Sequence, residues 1–186
     1  NNLALELSKK IRELTSVLNR MYERCSPEVF SGHVRPYLNG WLNDSEFPEG
    51  LCYKLSDGRC EYLKLAGGSA AQNPTVQLLD VILDVKHGAD EDSLMLPGYR
   101  ATCQGRMNYL GAMRTYMPRE HCDYLNALEQ EFKPVHSLLK QTDNYKLCVA
   151  ALKDFRTEHT KMVTRYIVCG SMRGTGGSNP IPFLKK

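Results

Sequence analysis

The chain has 186 residues, 42% hydrophobic and 24% charged, the balance of one soluble folded domain with enough length to bury a core. Its 24 basic and 21 acidic side chains are interspersed and leave a formal charge of +3, so no basic block is offered to nucleic acid. No apolar run approaches the roughly 20 residues that span a bilayer and no signal segment opens the chain, which makes a soluble, cytoplasmic protein without a membrane partner the expectation.

The seven cysteines (Cys25, Cys52, Cys60, Cys103, Cys122, Cys148 and Cys169) are odd in number, scattered and never in a Cys-x-x-Cys spacing. They read as reduced thiols and not as a disulfide framework or a zinc site. Asn1 stands where an initiator Met would, and the helical pattern is already running there, so the start reads as a cut in a longer protein.

In chain order, Leu3, Leu5, Leu7, Ile11, Leu14, Leu18 and Met21 recur at three- and four-residue intervals and predict a helix with one buried face. Ser26-Pro27-Glu28 is a helix start, with Ser26 as N-cap and Pro27 in the first turn, and the helix it opens carries Phe30, Val34 and Arg35. Pro36 predicts a bend just after Arg35. Between Gly40 and Ala66 a long loop is expected, with a short hairpin where Pro48-Glu49-Gly50 and Ser56-Asp57-Gly58 flank Leu51 to Leu55. Asn73-Pro74 precedes Val76, Leu78, Leu79, Ile82 and Leu83, a buried helix, and His87 to Pro97 reads as polar and exposed. Two further helices are expected at about 101–116 and 120–129, with Pro118 between them. The last runs from about Asn144 to Val168 with an apolar stripe of Leu147, Ala150, Ala151, Phe155, Met162, Val163 and Tyr166. His159 lies one turn beyond Phe155 on the same side. Glycines and prolines from Gly170 onward end it.

Four segments carry chemistry: Phe30-Ser31-Gly32-His33-Val34-Arg35-Pro36-Tyr37-Leu38, Gly67-Gly68-Ser69-Ala70-Ala71-Gln72, Arg156 to Ile167 around His159, and Gly174-Thr175-Gly176-Gly177. Read alone, a histidine on an apolar helix face is more often a satisfied core residue than a ligand, and the last glycine run equally suits a linker. Together the four segments resemble the haem-binding half of the indoleamine 2,3-dioxygenase family, which also contains gastropod myoglobins that carry oxygen without oxidising tryptophan. The resemblance covers nearly the whole chain and is weakest over 86–108.

What it implies is an all-α fold, the family's large helical haem-binding domain over 1–186, with a Gly-rich closing loop and tail at 170–186 and the small N-terminal domain missing. It implies haem b and O2 as cofactors, with His159 as the iron ligand, Arg156 pairing with a haem propionate and Asp80 near the free nitrogen of the histidine. Gly68 would let the backbone approach the haem. On the substrate side it implies Arg35 for the carboxylate of L-tryptophan or another indoleamine, and Phe30 against the indole. Ser69 and Ala70 would lie beside bound ligand, and Thr175 would sit on a closing lid. The expected reaction inserts O2 across the indole C2=C3 bond to give N-formylkynurenine, the first step of the kynurenine pathway, in a monomer with no general acid or base. One position departs from the pattern: Ser31 stands where the enzymes carry a second aromatic residue, which leaves an oxygen-carrying myoglobin as the alternative. His33 should point to another face and is read as non-catalytic. From composition alone, a haem-free helical interaction module also remains open.

Overall fold

The computed structural model describes residues 2–42, 44–87, 109–168 and 175. Helix α1 (Asn2–Asn19) is followed by the short helices α2 (Met21–Arg24) and α3 (Pro27–Val29). Ser26 caps α3 as its sequence predicts, its hydroxyl accepting from the Val29 N–H at 3.2 Å. The chain then widens into a π-turn over Phe30–Val34 and tightens into a 3-10 turn over Arg35–Leu38. Pro36 sits in the first positions of that turn, where its missing N–H costs nothing, and this is how the expected bend is built.

Strands β1 (Leu51–Lys54) and β2 (Cys60–Leu63) form an antiparallel hairpin, the one sheet among the described residues. Its loop turns at Gly58 (φ +85°), a conformation that favours glycine. A 3-10 turn (Ala70–Gln72) leads into α4 (Pro74–Ile82), which Asn73 caps by accepting from Thr75 N at 2.8 Å. After α5 (Tyr109–Arg114) and α6 (Arg119–Phe132), a one-turn helix α7 (His136–Leu139) appears that the sequence pattern did not announce. Helix α8 (Asp143–Tyr166) is the longest element, capped by Thr142. The described part of the fold is thus mostly helical, as expected, and the expected segment 88–97 together with the first half of the 101–116 helix lies outside the described residues.

Ile11 of α1, Leu79 and Leu83 at the end of α4, and Cys148, Ala151 and Leu152 of α8 form the main core. Burying a side chain such as Ile11 completely contributes about 1.5–3 kcal/mol. Two stripes are rotated from their sequence readings. On α8 the inner line is Cys148, Ala151, Leu152, Phe155 and His159, while Leu147 is exposed. On α1 the line is Ala4, Leu7, Ser8 and Ile11, and Leu3 is 87% exposed. Both helices offer apolar residues on more than one side, and packing of α1 on α8 selects one of them.

A second cluster of Leu42, Ala71, Ala112 and Met113 seats α5 against the Gly67–Gln72 segment. Gln77 of α4, only 2% exposed, ties these elements together. Its amide donates to the carbonyls of Ala71 (2.8 Å) and Leu110 (3.0 Å) and its oxygen accepts from Arg114 Nε (2.8 Å). Arg114 continues to Asn126 and Glu129 of α6. Every polar atom of the Gln77 amide oxygen and nitrogen is thereby used, which is what permits an amide in the core.

Candidate haem-binding site

His159 projects from the middle of α8, one turn beyond Phe155, whose ring stacks on the imidazole at 6.4 Å between centroids and 14° between planes. The imidazole makes no hydrogen bond to any described residue. Burial alone pushes its pKa below the ordinary histidine value, because an imidazolium would be poorly solvated there. At neutral pH the ring is therefore in the free-base form that a metal requires of a histidine ligand.

One turn earlier, Arg156 Nη2 donates to Asp80 Oδ1 of α4, so α4 and α8 are joined by an ion pair whose carboxylate is 8% exposed as a residue. Asp80 Oδ2 accepts from His87 Nε2 at 2.7 Å. Both Asp80 oxygens are thus committed, one to Arg156 and one to His87, and His159 is not among its partners. His87, expected in an exposed polar stretch, is instead half-buried beside this carboxylate. The sequence hides the contact. A helix would carry the residue seven positions on from Asp80 about two turns away, but α4 ends at Ile82 and Asp84 takes a left-handed φ of 47°, which folds the chain back.

The segments assigned to the substrate side also converge. Gly68 N donates to the Leu38 carbonyl at 3.0 Å, so the end of the Arg35–Leu38 turn lies against the Gly67-Gly68-Ser69 stretch. A Cβ on Gly67 would collide with the carbonyls of Leu38 and Thr175, so this is a close approach that only glycine allows. Thr175 Oγ1 donates to the Gly68 carbonyl at 2.5 Å. Ser69 is the first residue of a reciprocal cap with Gln72, and its hydroxyl shares a 3.0 Å hydrogen bond with the Tyr109 phenol. Ala70 begins the turn that follows. Tyr109 was missed by the sequence reading, since nothing in a lone tyrosine 40 residues away marks it as a partner.

Phe30 is buried against the C-terminal end of α8, edge-on to the Tyr166 ring at 5.5 Å and 89°. Tyr166 lies two turns beyond His159 on nearly the same side of the helix. Its hydroxyl donates to the carbonyls of Cys25 (2.6 Å) and Met21 (3.2 Å), which pins the histidine helix to α2 and the start of α3. Ser31 and Arg35 are half-buried in the same bend, and His33 is exposed, as its position on another face predicts. A cavity of about 410 Å³ between the end of α4, α5 and α6 touches this constellation at Asp80 and is not lined by Phe30, Arg35, Ser69 or His159.

The residues fit a haem. His159 offers a neutral imidazole with no partner in the described chain, and Arg156 spends one of its donors on Asp80 and keeps a quarter of its side-chain surface open. Gly68 presents bare backbone, with nothing nearer than 4.0 Å to where a Cβ would stand. No group of three or more metal-ligating side chains occurs among the described residues.

The longest helix among the described residues carries a half-buried imidazole with no hydrogen bond to a described residue, and one such histidine is what a histidine-ligated haem requires of its protein. The family model for indoleamine 2,3-dioxygenase matches residues 2–186. The chain is 35% identical over 181 residues to an indoleamine 2,3-dioxygenase of Saccharomyces cerevisiae, covering 93% of this chain and 38% of the relative. An indoleamine 2,3-dioxygenase of Aspergillus candidus is 34% identical over 197 residues (96% and 46%), and a myoglobin of Haliotis madaka is 32% identical over 198 residues (97% and 48%). This chain belongs to the indoleamine 2,3-dioxygenase family. It spans less than half the length of each of these three relatives.

Proposed function

We propose that this chain is the haem-binding part of a cytoplasmic, monomeric dioxygenase that inserts O2 across the indole C2=C3 bond of L-tryptophan or a related indoleamine to give N-formylkynurenine, the entry to the kynurenine pathway. The observation that carries the reading is His159: half-buried, its pKa lowered by burial, and without a hydrogen bond to any described residue, in a chain whose relatives are dioxygenases and an oxygen carrier. When bound, haem supplies the oxygen chemistry.

The chain's own side chains hold and orient. His159 would take the iron and Arg156 a propionate, its free N–H groups giving the charge-assisted contact that a guanidinium makes best. Arg35 would hold the substrate carboxylate, while Phe30 supplies an aromatic wall kept in place by Tyr166. Ser69, Ala70 and Gly68 form one side of the pocket, and Thr175, anchored on the Gly68 carbonyl, closes it and keeps water out. No side chain is asked to accept a proton.

Ser31 favours a second reading. A missing aromatic ring removes about 0.5–1.5 kcal/mol of stacking beyond its buried area, and with it grip on an indole. The Haliotis madaka relative is a myoglobin, so reversible oxygen binding without turnover is the alternative. The deciding experiment uses the intact protein, loaded with haem and reduced, with L-tryptophan added in air. Growth of the N-formylkynurenine absorbance, lost in Arg35→Ala with haem retained, supports the dioxygenase. Reversible oxygen uptake with no product makes the protein an oxygen carrier. Failure to take up haem, or uptake undiminished in His159→Ala, overturns the site.

A further inference from the structure

The hairpin between the Arg35 bend and the Gly67-Gly68 stretch carries chemistry that the haem site does not use. In its register Cys52 faces Tyr62 and Lys54 faces Cys60. Leu55 N donates to the Arg59 carbonyl at 2.8 Å, and pair types alternate along an antiparallel ladder, so 54/60 and 52/62 are the non-hydrogen-bonded pairs with the closer side chains. All four of these residues lie on one face. On that face Cys52 and Cys60 are diagonal neighbours, along the diagonal that the right-handed twist of a two-stranded ribbon shortens.

Both cysteines are exposed and unbridged. The neighbouring Cys52 holds the Cys60 thiol above its ordinary pKa. The Tyr62 phenol opposite is raised by the same Cys52. The other described cysteines are occupied differently. Cys148 is buried and donates to the Ala4 carbonyl, Cys122 to that of Arg114, and Cys25 to that of Ser26.

We infer that Cys52 and Cys60 form a solvent-facing dithiol site that a peroxide converts reversibly into a cross-strand disulfide. In the first step one thiolate attacks the peroxide O–O bond; an S–O bond forms, the O–O bond breaks, and the departing oxygen takes a proton as water, leaving a sulfenic acid. In the second, the other sulfur attacks the first; the S–S bond forms, the S–O bond breaks, and hydroxide leaves with the second thiol's proton as water. Two thiols are oxidised and one hydrogen peroxide is reduced to two waters. The site stands apart from the haem reading and does not depend on it. Its place in the chain gives it reach: β2 runs directly into Leu65, whose carbonyl accepts from Trp41 N (2.8 Å) and Leu42 N (3.1 Å), and on to Gly67 and Ser69. A closed hairpin stiffens the strand that delivers that stretch.

The test treats the reduced intact protein with hydrogen peroxide and maps thiols by peptide mass spectrometry. The expected product is a Cys52–Cys60 link, lighter by two hydrogens and restored by a thiol reductant, formed before Cys25, Cys122 or Cys148 is oxidised. In Cys60→Ser the link is lost and Cys52 accumulates as a sulfenic acid that a diketone probe traps, and Cys52→Ser shows the reverse. Stepwise oxidation of each cysteine to sulfinic acid without a link, a link that joins two molecules, or a pair no faster to react than Cys25 overturns the proposal.

Discussion

Asp80 is where the structure makes the sharpest demand on energetics. Its side chain is 9% exposed and receives Arg156 on one oxygen and His87 on the other, and those two side chains are 26% and 25% exposed. Asp80→Ala leaves a mostly buried guanidinium without a counter-charge. Removing one partner of a fully buried pair costs about 3–5 kcal/mol; the water reaching Arg156 and His87 screens part of this, so about 2–3 kcal/mol is expected. For a folding unit of 186 residues the unfolding entropy is about 0.4 kcal/mol/K, which converts the loss into a Tm lower by about 5–8 °C. Thermal unfolding followed by circular dichroism reads this directly. Arg156→Ala and the double variant complete a cycle, in which the double variant should be less destabilised than the sum of the singles by about 1–2 kcal/mol. If the two single effects add to within about 0.5 kcal/mol, Asp80 and Arg156 are not coupled and the clamp between α4 and α8 does not exist.

Three other outcomes are expected. Tyr166→Phe strands the Met21 and Cys25 carbonyls without their donor at a buried position, and should lower stability by about 1 kcal/mol; an unchanged denaturant midpoint would refute the tie between α8 and α2. Asp84, paired with Lys140 at 2.6 Å and with Lys86, has its pKa lowered to about 2 from an ordinary 3.8, chiefly by hydrogen bonds from these two lysines. Its folded-state value lies below the unfolded one, so its contribution is complete above about pH 4 and is lost as pH falls towards 2; with exposed lysines as partners it is on the order of 1 kcal/mol. Asp84→Asn, which tolerates the left-handed backbone, should be less stable than the parent at neutral pH and equal to it at the acid end, and a gap independent of pH would remove the assignment. Ser31→Phe restores the aromatic position and should lower the KM for L-tryptophan by up to about tenfold if the pocket is the one proposed, since stacking contributes about 0.5–1.5 kcal/mol; a KM that stays the same or rises points away from an indole at this bend.

Much of the helical frame was legible because its signals are local. Ser26-Pro27 and Asn73-Pro74 mark helix starts through the special backbone of proline and through caps that act within three residues, and each stands where it was read, while Pro118, read as the turn between two helices, directly precedes α6. The hairpin was legible from its two Gly turns. What stayed hidden depends on partners distant in the chain. The 3.6-residue period says that α1 and α8 have an apolar side but not which of two adjacent apolar lines is covered, and mutual packing chose Ile11 over Leu14 and Cys148 over Leu147. At the site, sequence pointed to His159, Arg156 and Asp80, and the described structure joins the last two. It could not show that His87 holds the other Asp80 oxygen, because the reversal at Asp84 rests on a single left-handed residue that is not glycine.

That reversal matters for the imidazole. A carboxylate in contact with His159 would stabilise the protonated ring and raise its pKa. Here the acidic side chain on α4 is paired with Arg156 and hydrogen-bonded to His87, while His159 has an aromatic ring for a neighbour on its own helix. The pKa of His159 is accordingly lowered, with burial as its cause. Arg156, with donors to spare, remains able to meet an external carboxylate without surrendering Asp80, so that one side chain serves the packing of two helices and the rim of the proposed haem site together.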